Sequence, residues 1–176
     1  MTLRNLSLLF ISLFILAACG GGGGGSTTPP TAGCSPSTTN LCITVIGGKY
    51  VVQNSSSAGV SQKTLTLNAG TYTFDQTHSS NIQSSGGGGY GGGGSAQTHQ
   101  IKFSTTSDGT HNSGSAYTTG VTTSGTPGSN GKTTIVIDAS TPSTLYYYCQ
   151  NHSGMGGTIN IVIGNQSDQV EFTETN

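Results

Sequence analysis

The chain carries little charge and no tryptophan. Its 176 residues include five lysines and arginines and six aspartates and glutamates, which gives a formal net charge of −1. The sequence has no basic stripe with interleaved aromatic side chains, and this argues against a nucleic acid as a partner. With so few charges, solubility rests on serine, threonine, asparagine and glycine, a composition typical of an extracytoplasmic β protein.

Long apolar runs are absent after the first nineteen residues, and so is any amphipathic helix of useful length. Near the start of the sequence, the positively charged Arg4 precedes an apolar run from Leu6 to Leu16. This run is short for a bilayer span and typical of a signal peptide. The run ends in LAAC, which resembles the lipobox of bacterial lipoproteins. By that resemblance residues 1–18 are removed, and an acylated Cys19 anchors the chain to a lipid membrane outside the cytoplasm. The alternative is ordinary signal cleavage, with Cys19 lost or unmodified.

Composition divides the rest of the chain into three parts. Residues 19–33 are rich in glycine and proline and predict a flexible tether. Residues 34–164 have the size of one domain and are long enough for a real hydrophobic core. Within that domain the low-complexity run 84–97 predicts a glycine-rich loop insert. Residues 165–176 form a polar, weakly acidic tail.

The four cysteines are few enough to assign one by one. Cys19 is assigned to lipid and Cys149 to a motif described below, so Cys34 and Cys42 remain, eight residues apart. Because disulfides persist outside the cytoplasm, we expect these two cysteines to pair. An unstrained bridge over so short a loop would contribute about 2–3 kcal/mol to stability. The alternative is two free thiols.

Apolar residues alternate with a period of two along the domain, and this pattern predicts strands. The alternating runs are LCITVIG, KYVVQN, the two halves of KTLTLNAGTYTFDQ, HQIKFST, KTTIVID, TLYYYC and TINIVIG. Gly47 and Gly48, between the first two runs, indicate a hairpin turn. Seven or eight short strands separated by turn residues predict an all-β protein, an antiparallel Greek-key β-sandwich. The lack of tryptophan and of a widely spaced cysteine pair argues against a true immunoglobulin domain.

The run YYYCQNHSGMGG gathers three metal-binding side chains, Cys149, His152 and Met155, each three residues after the last. Cys149 shares a strand face with Leu145 and Tyr147, so we expect it at the inner end of a strand that leads into a loop. Zinc has little use for a thioether, and magnesium or calcium would need carboxylates, so the set favours copper. Two histidines and a cysteine with a weak axial methionine form the geometry of blue copper.

Such a site needs a second histidine, and the candidates are His78, His99 and His111. His99 shares a face with Ile101 and Phe103 at the start of a strand, so we expect it to point into the core. His78 and His111 lie in polar, turn-like runs. His99 is therefore favoured as the distant ligand, with the other two as alternatives.

Three segments, GTYTFDQ, HQIKFSTTSDGTH and LYYYCQNHSGMGG, together resemble the cupredoxin family of type 1 blue copper proteins related to plastocyanin. The Cys-x-x-His-x-x-Met spacing is similar to that of amicyanin. The resemblance covers roughly residues 43–163 and implies one type 1 copper ion bound by His99, Cys149, His152 and Met155. It also implies that His152 passes electrons to a redox partner protein that docks on the surrounding loop.

These observations predict a monomeric, lipid-anchored electron carrier that is not an enzyme. The alternatives are a module that binds or delivers copper without redox turnover, and a surface lipoprotein that copper merely stabilises. An enzyme with Cys149 as nucleophile and His152 as its base is disfavoured. No orienting acid lies near the pair in sequence, and adjacent loop residues rarely form such a dyad.

Overall fold

A computed structural model describes residues 33–83 and 97–164. The predicted signal peptide, the predicted acylation site Cys19 and the polar tail lie outside these described residues. Of the predicted tether only residue 33 is described, and of the predicted glycine-rich insert only residue 97. No helix within the described residues is long and apolar enough to cross a membrane.

Twelve β-strands and two short 3-10 helices make up the described ranges, and no α-helix occurs within them. The strands are β1 (Asn40–Ile46), β2 (Lys49–Asn54), β3 (Ser57–Ser61), β4 (Leu65–Asn68), β5 (Gly70–Asp75), β6 (Ile82–Gln83), β7 (Gln97–Thr98), β8 (Ile101–Ser104), β9 (Val121–Ser124), β10 (Lys132–Ile137), β11 (Thr144–Cys149) and β12 (Gly157–Val162). The 3-10 helices span Ser79–Asn81 and Gly109–Asn112.

The strands form two large sheets and one small pair. The six-stranded sheet has the order β3-β2-β1-β5-β10-β9, the four-stranded sheet has the order β4-β12-β11-β8, and β6 pairs with β7. Most neighbours are antiparallel, but β1 is parallel to β5 and β12 is parallel to β4. The large sheets are therefore mixed, whereas the sequence predicted antiparallel ones. The alternation of side chains determines which face a strand buries, but it does not choose the neighbour with which the strand pairs.

One hydrophobic core joins the two large sheets into an all-β sandwich. Phe74 of β5 contacts Phe103 of β8 edge to face, with ring centroids 5.1 Å apart, and lies 6.2 Å from the ring of Tyr147 of β11. All three side chains are fully buried. These contacts place the last strand residues of β11 and the start of β8 next to the interior.

All eight strands predicted from the alternation are present, as β1, β2, β4, β5, β8, β10, β11 and β12. The four additional strands are the edge strands β3 and β9 and the two-residue strands β6 and β7. The predicted hairpin turn between β1 and β2 is confirmed. Gly47 and Gly48 have φ values of +57° and +71°, the left-handed region that a type I′ hairpin turn requires at both central positions.

Cys34 and Cys42 form the predicted disulfide, with Cα atoms 5.8 Å apart. Cys42 lies in β1 and pairs with Asp75 of β5 in the interior of the six-stranded sheet. The bridge therefore links the segment before β1 to the centre of the sandwich.

Candidate metal centre

Three of the four predicted ligands come together where β11 ends. The ligand atoms of His99, Cys149 and His152 all lie within 4.8 Å of one another. The Sγ atom of Cys149 is 3.7 Å from Nδ1 of His99 and 3.6 Å from Nδ1 of His152. One thiol and two imidazoles at these distances form a group that could hold a metal ion.

Strand pairing explains why two of these side chains meet. Cys149 is the last residue of β11 and lies opposite Ile101, the first residue of β8. His99 precedes Ile101 by two residues and so projects toward the same interior side. Cys149 is fully buried and His99 is 7% exposed. The inward position predicted for His99 is confirmed, but the predicted strand start is wrong, because β8 begins two residues later, at Ile101.

His152 lies on the solvent side of the group. It follows Cys149 by three residues, in the turn after β11, and its side chain is only partly buried. The rings of His152 and His99 have centroids 4.7 Å apart and are tilted by 50°. The group is therefore buried at the thiol and at His99 and reaches the surface through His152.

Met155, the fourth predicted ligand, is 2% exposed and belongs to the same core cluster as Cys149. Its backbone carbonyl accepts a hydrogen bond from the N–H of Tyr50 at 2.9 Å. This bond fixes the end of the loop that carries His152 against β2. The role of the Met155 sulfur as an axial ligand stays a prediction.

Burial lowers the pKa of His99, and the neighbouring His152 lowers it further. Both effects disfavour the protonated ring, the first because a charge loses its hydration and the second because like charges repel. A metal binds the neutral imidazole. The surroundings of His99 therefore keep its ring in the form that can act as a ligand at neutral pH.

The ligand loop, residues 149–155, is held at Gly154 by side chains that the sequence analysis did not single out. The carboxylate of Asp108 accepts the N–H of Gly154 with both oxygens at 2.9 Å. Lys49 and Gln62 donate to the Gly154 carbonyl. Gly154 has a φ of +69°, which glycine adopts at little cost. Both backbone polar groups of Gly154 are thus bonded to partners distant in sequence, so no local pattern could have revealed them.

Two further hydrogen bonds join the ligand loop to the chain on either side of His99. The side-chain amide of Asn151 donates to the Thr98 carbonyl at 2.8 Å. The backbone N–H of Gln150 donates to the Gln100 carbonyl at 2.9 Å. The loop that carries His152 and the segment that carries His99 therefore form one connected structure.

The two alternative histidines do not belong to the group of three. Nδ1 of His78 accepts the N–H of Ser80 at 3.1 Å and caps the first 3-10 helix. His111 donates from Nε2 to the Cys149 carbonyl at 2.9 Å, and its ring stands edge to face with Tyr148. His111 thus contacts the main chain of a predicted ligand and not its sulfur, a contact that its polar surroundings in the sequence did not suggest.

Comparisons with known proteins do not assign the chain to a family. No family model matches the sequence, and no curated protein matches it. The chemistry of the group must therefore be judged from its donor atoms. A thiolate and two imidazoles suit copper, zinc or iron, whereas magnesium and calcium prefer oxygen ligands.

Proposed function

We propose that the chain is a blue copper protein that carries single electrons outside the cytoplasm, anchored to a lipid membrane through acylated Cys19. The observation that carries the proposal is the group of His99, Cys149 and His152, whose ligand atoms lie within 4.8 Å of one another. Its donor set is that of a trigonal site with two histidines and one cysteine. A copper ion bound there supplies one-electron exchange between Cu(II) and Cu(I).

Each residue of the site has a distinct role in this proposal. The Cys149 thiolate is the strong ligand, and its complete burial keeps water away from it. His99 donates a neutral imidazole from the interior, and His152 donates one from the partly exposed side. Met155 supplies the weak axial thioether that helps to set the reduction potential. We propose that the mixed sheets belong to the cupredoxin-like Greek-key class, since Cys149, His152 and Met155 come from the end of β11 and the loop after it, and His99 comes from the segment before β8.

The surface around His152 suits a brief encounter with a redox partner. Its loop neighbours Asn151, Ser153 and Gly154 are small and uncharged. Such a surface fits the weak, transient contacts of redox complexes, which bury little area. We therefore propose that a monomer exchanges electrons through His152 with a partner protein docked on this loop.

The burial of the thiol supports a ligand and not a nucleophile. Cys149 is a free cysteine with no exposed surface, whereas a reactive cysteine needs access to its substrate. Asp108, a carboxylate beside the ligand loop, accepts a hydrogen bond from Gly154 and does not orient His152 in the manner of a catalytic triad. The disulfide between Cys34 and Cys42 supports an extracytoplasmic location.

The visible spectrum tests the proposal. Cu(II) added to the purified full chain in detergent should give an intense thiolate-to-copper band, and ascorbate should bleach it reversibly. His99→Ala should lose this band, while His78→Ala should keep it, because His78 caps a 3-10 helix and contacts Ser80. A blue His99→Ala protein beside a colourless His78→Ala protein would overturn the ligand assignment, and a colourless wild type would overturn the proposal.

A further inference from the structure

Gln76 has a fully buried side chain, and both the nitrogen and the oxygen of its amide make hydrogen bonds. Its Nε2 donates to the carbonyl of His99, and its Oε1 accepts the N–H of Ile101 at 3.1 Å. A buried amide without partners costs free energy, so its partners explain why this one is tolerated. One side chain thus bonds the peptide groups on both sides of Gln100, between a predicted ligand and β8.

The backbone of His99 makes two further hydrogen bonds to buried partners. Its carbonyl accepts a second hydrogen bond, at 2.7 Å, from the hydroxyl of Tyr50. Its N–H donates to the carbonyl of Asn81 at 2.8 Å. Tyr50, Gln76 and Asn81 are all 0% exposed. The main chain of His99 is therefore fixed by contacts that need no metal.

This arrangement is needed because His99 lies in no strand. β7 ends at Thr98 and β8 begins at Ile101, so His99 and Gln100 lie between the two strands and outside both of their ladders. Gln76 directly follows β5, in the opposite sheet, and its side chain reaches across to supply the hydrogen bonds that a neighbouring strand would otherwise make.

We propose that Gln76 is a positioning residue that places the His99 imidazole beside Cys149 and His152 before any metal binds. The inference rests on the proposed function for its consequence, a site ready to accept copper, but the placement itself can be measured on the chain without metal. The placement appears in two distances, 3.7 Å from His99 Nδ1 to the Cys149 sulfur and 4.7 Å between the two imidazole rings. A supporting shell of this kind controls metal affinity, because the ligands need not be ordered when the ion arrives.

The variant that tests this placement is Gln76→Met, which keeps a similar volume and removes the hydrogen bonds to the His99 carbonyl and the Ile101 N–H, together with those to the side chains of Asn81 and Gln100. Thr133→Val is its matched control. Thr133 is also fully buried, and its hydroxyl accepts from Gln100 at 2.7 Å without bonding to His99. Both changes remove hydrogen bonds from the same region, but only Gln76→Met removes one that is made to His99.

Nuclear Overhauser contacts between the rings of His99 and His152, measured on the full chain without metal, report the placement. Gln76→Met should lose them and Thr133→Val should keep them, after both variants are shown by denaturant unfolding to be folded. If Gln76→Met does not fold, Gln76→Asn serves instead, because its amide is one methylene too short for both bonds. Ring contacts that persist in the Gln76 variant, or that also vanish in Thr133→Val, would overturn the inference.

Cu(II) titration gives the second readout and separates the two proposals. Gln76→Met should bind Cu(II) roughly 10- to 100-fold more weakly than wild type, with Thr133→Val close to wild type. Equal affinity in wild type and Gln76→Met would overturn the role of Gln76. If the wild type itself binds no Cu(II), the proposed function fails, and the ring contacts in the metal-free chain still decide whether Gln76 positions His99.

Discussion

A single methyl group at Gly156 should disrupt the candidate metal centre. Gly156 lies between Met155 and the first residue of β12, where the chain passes close to the main chain of β11. A Cβ atom there would lie 1.7 Å from the carbonyl oxygen of Tyr147 and 2.9 Å from the Cα of Tyr148. Because these contacts are with backbone atoms, no side-chain rotation can relieve them.

The loss of stability in Gly156→Ala can be worked out from the hydrogen bonds that break when the loop moves. Relief of the overlap requires the loop to leave β11, and this breaks two hydrogen bonds that hold it. These run from the Tyr50 N–H to the Met155 carbonyl, at 2.9 Å, and from the Gln62 side chain to the Gly156 carbonyl, at 2.8 Å. Overpacking costs typically 1–3 kcal/mol and each of the two lost hydrogen bonds about 1 kcal/mol, so we expect a loss of about 3–5 kcal/mol in the free energy of unfolding.

Denaturant unfolding of the metal-free chain measures this loss, and the visible spectrum after Cu(II) addition measures its effect on the site. Gly164→Ala is the control, since a Cβ there meets nothing within 4 Å. Gly164→Ala should stay close to wild type in both assays, while Gly156→Ala should lose stability and weaken the blue band. If Gly156→Ala unfolds within 1 kcal/mol of wild type, which is about the net worth of one hydrogen bond, and keeps an unchanged spectrum, the steric reasoning is wrong.

Four further changes test the remaining assignments. Reduction of the Cys34–Cys42 disulfide should lower the free energy of unfolding by about 2–3 kcal/mol, and an unchanged denaturation midpoint would contradict this. Cys149→Ser should abolish the blue band, because the thiolate supplies the charge transfer; a persisting band would exclude Cys149 as ligand. Met155→Leu should keep the band and raise the reduction potential, since an apolar axial position favours the lower-charge metal; loss of the band would contradict a weak axial role. Cys19→Ala should remove fatty-acid label and release the chain from membranes, and label that persists would refute acylation at Cys19.

The sequence predicted those features that are encoded locally. A strand with one buried face shows its alternation in every second residue, so eight of the described strands and the inward position of Cys149 could be predicted directly. The same alternation, continued to two residues before β8, predicted the inward position of His99. The disulfide followed from the small number of cysteines and the eight-residue separation of Cys34 and Cys42. Each of these inferences needed only neighbouring residues or a count.

The features that the sequence did not predict depend on contacts between distant parts of the chain. The parallel pairing of β1 with β5, and of β12 with β4, is decided by packing and not by periodicity. The short strands β6 and β7 have two residues each, too few for an alternation to be visible. Gln76 and Asp108 are polar residues of a kind that usually lies at the surface, and their partners His99 and Gly154 are 23 and 46 residues away.

The way the ligand loop is fixed favours an electron carrier over a protein that delivers copper. Delivery requires ligands that can open and hand the ion to a partner. Here the loop is bonded at Gly154 to Asp108 and through Asn151 to Thr98, and the thiol of Cys149 has no exposed surface. A partner that took the ion by replacing Cys149 would have to reach a buried thiol behind this bonded loop. Electron exchange instead needs a site that stays in one geometry while the metal changes its charge, and a ligand loop fixed by hydrogen bonds to Asp108 and Thr98 meets that need.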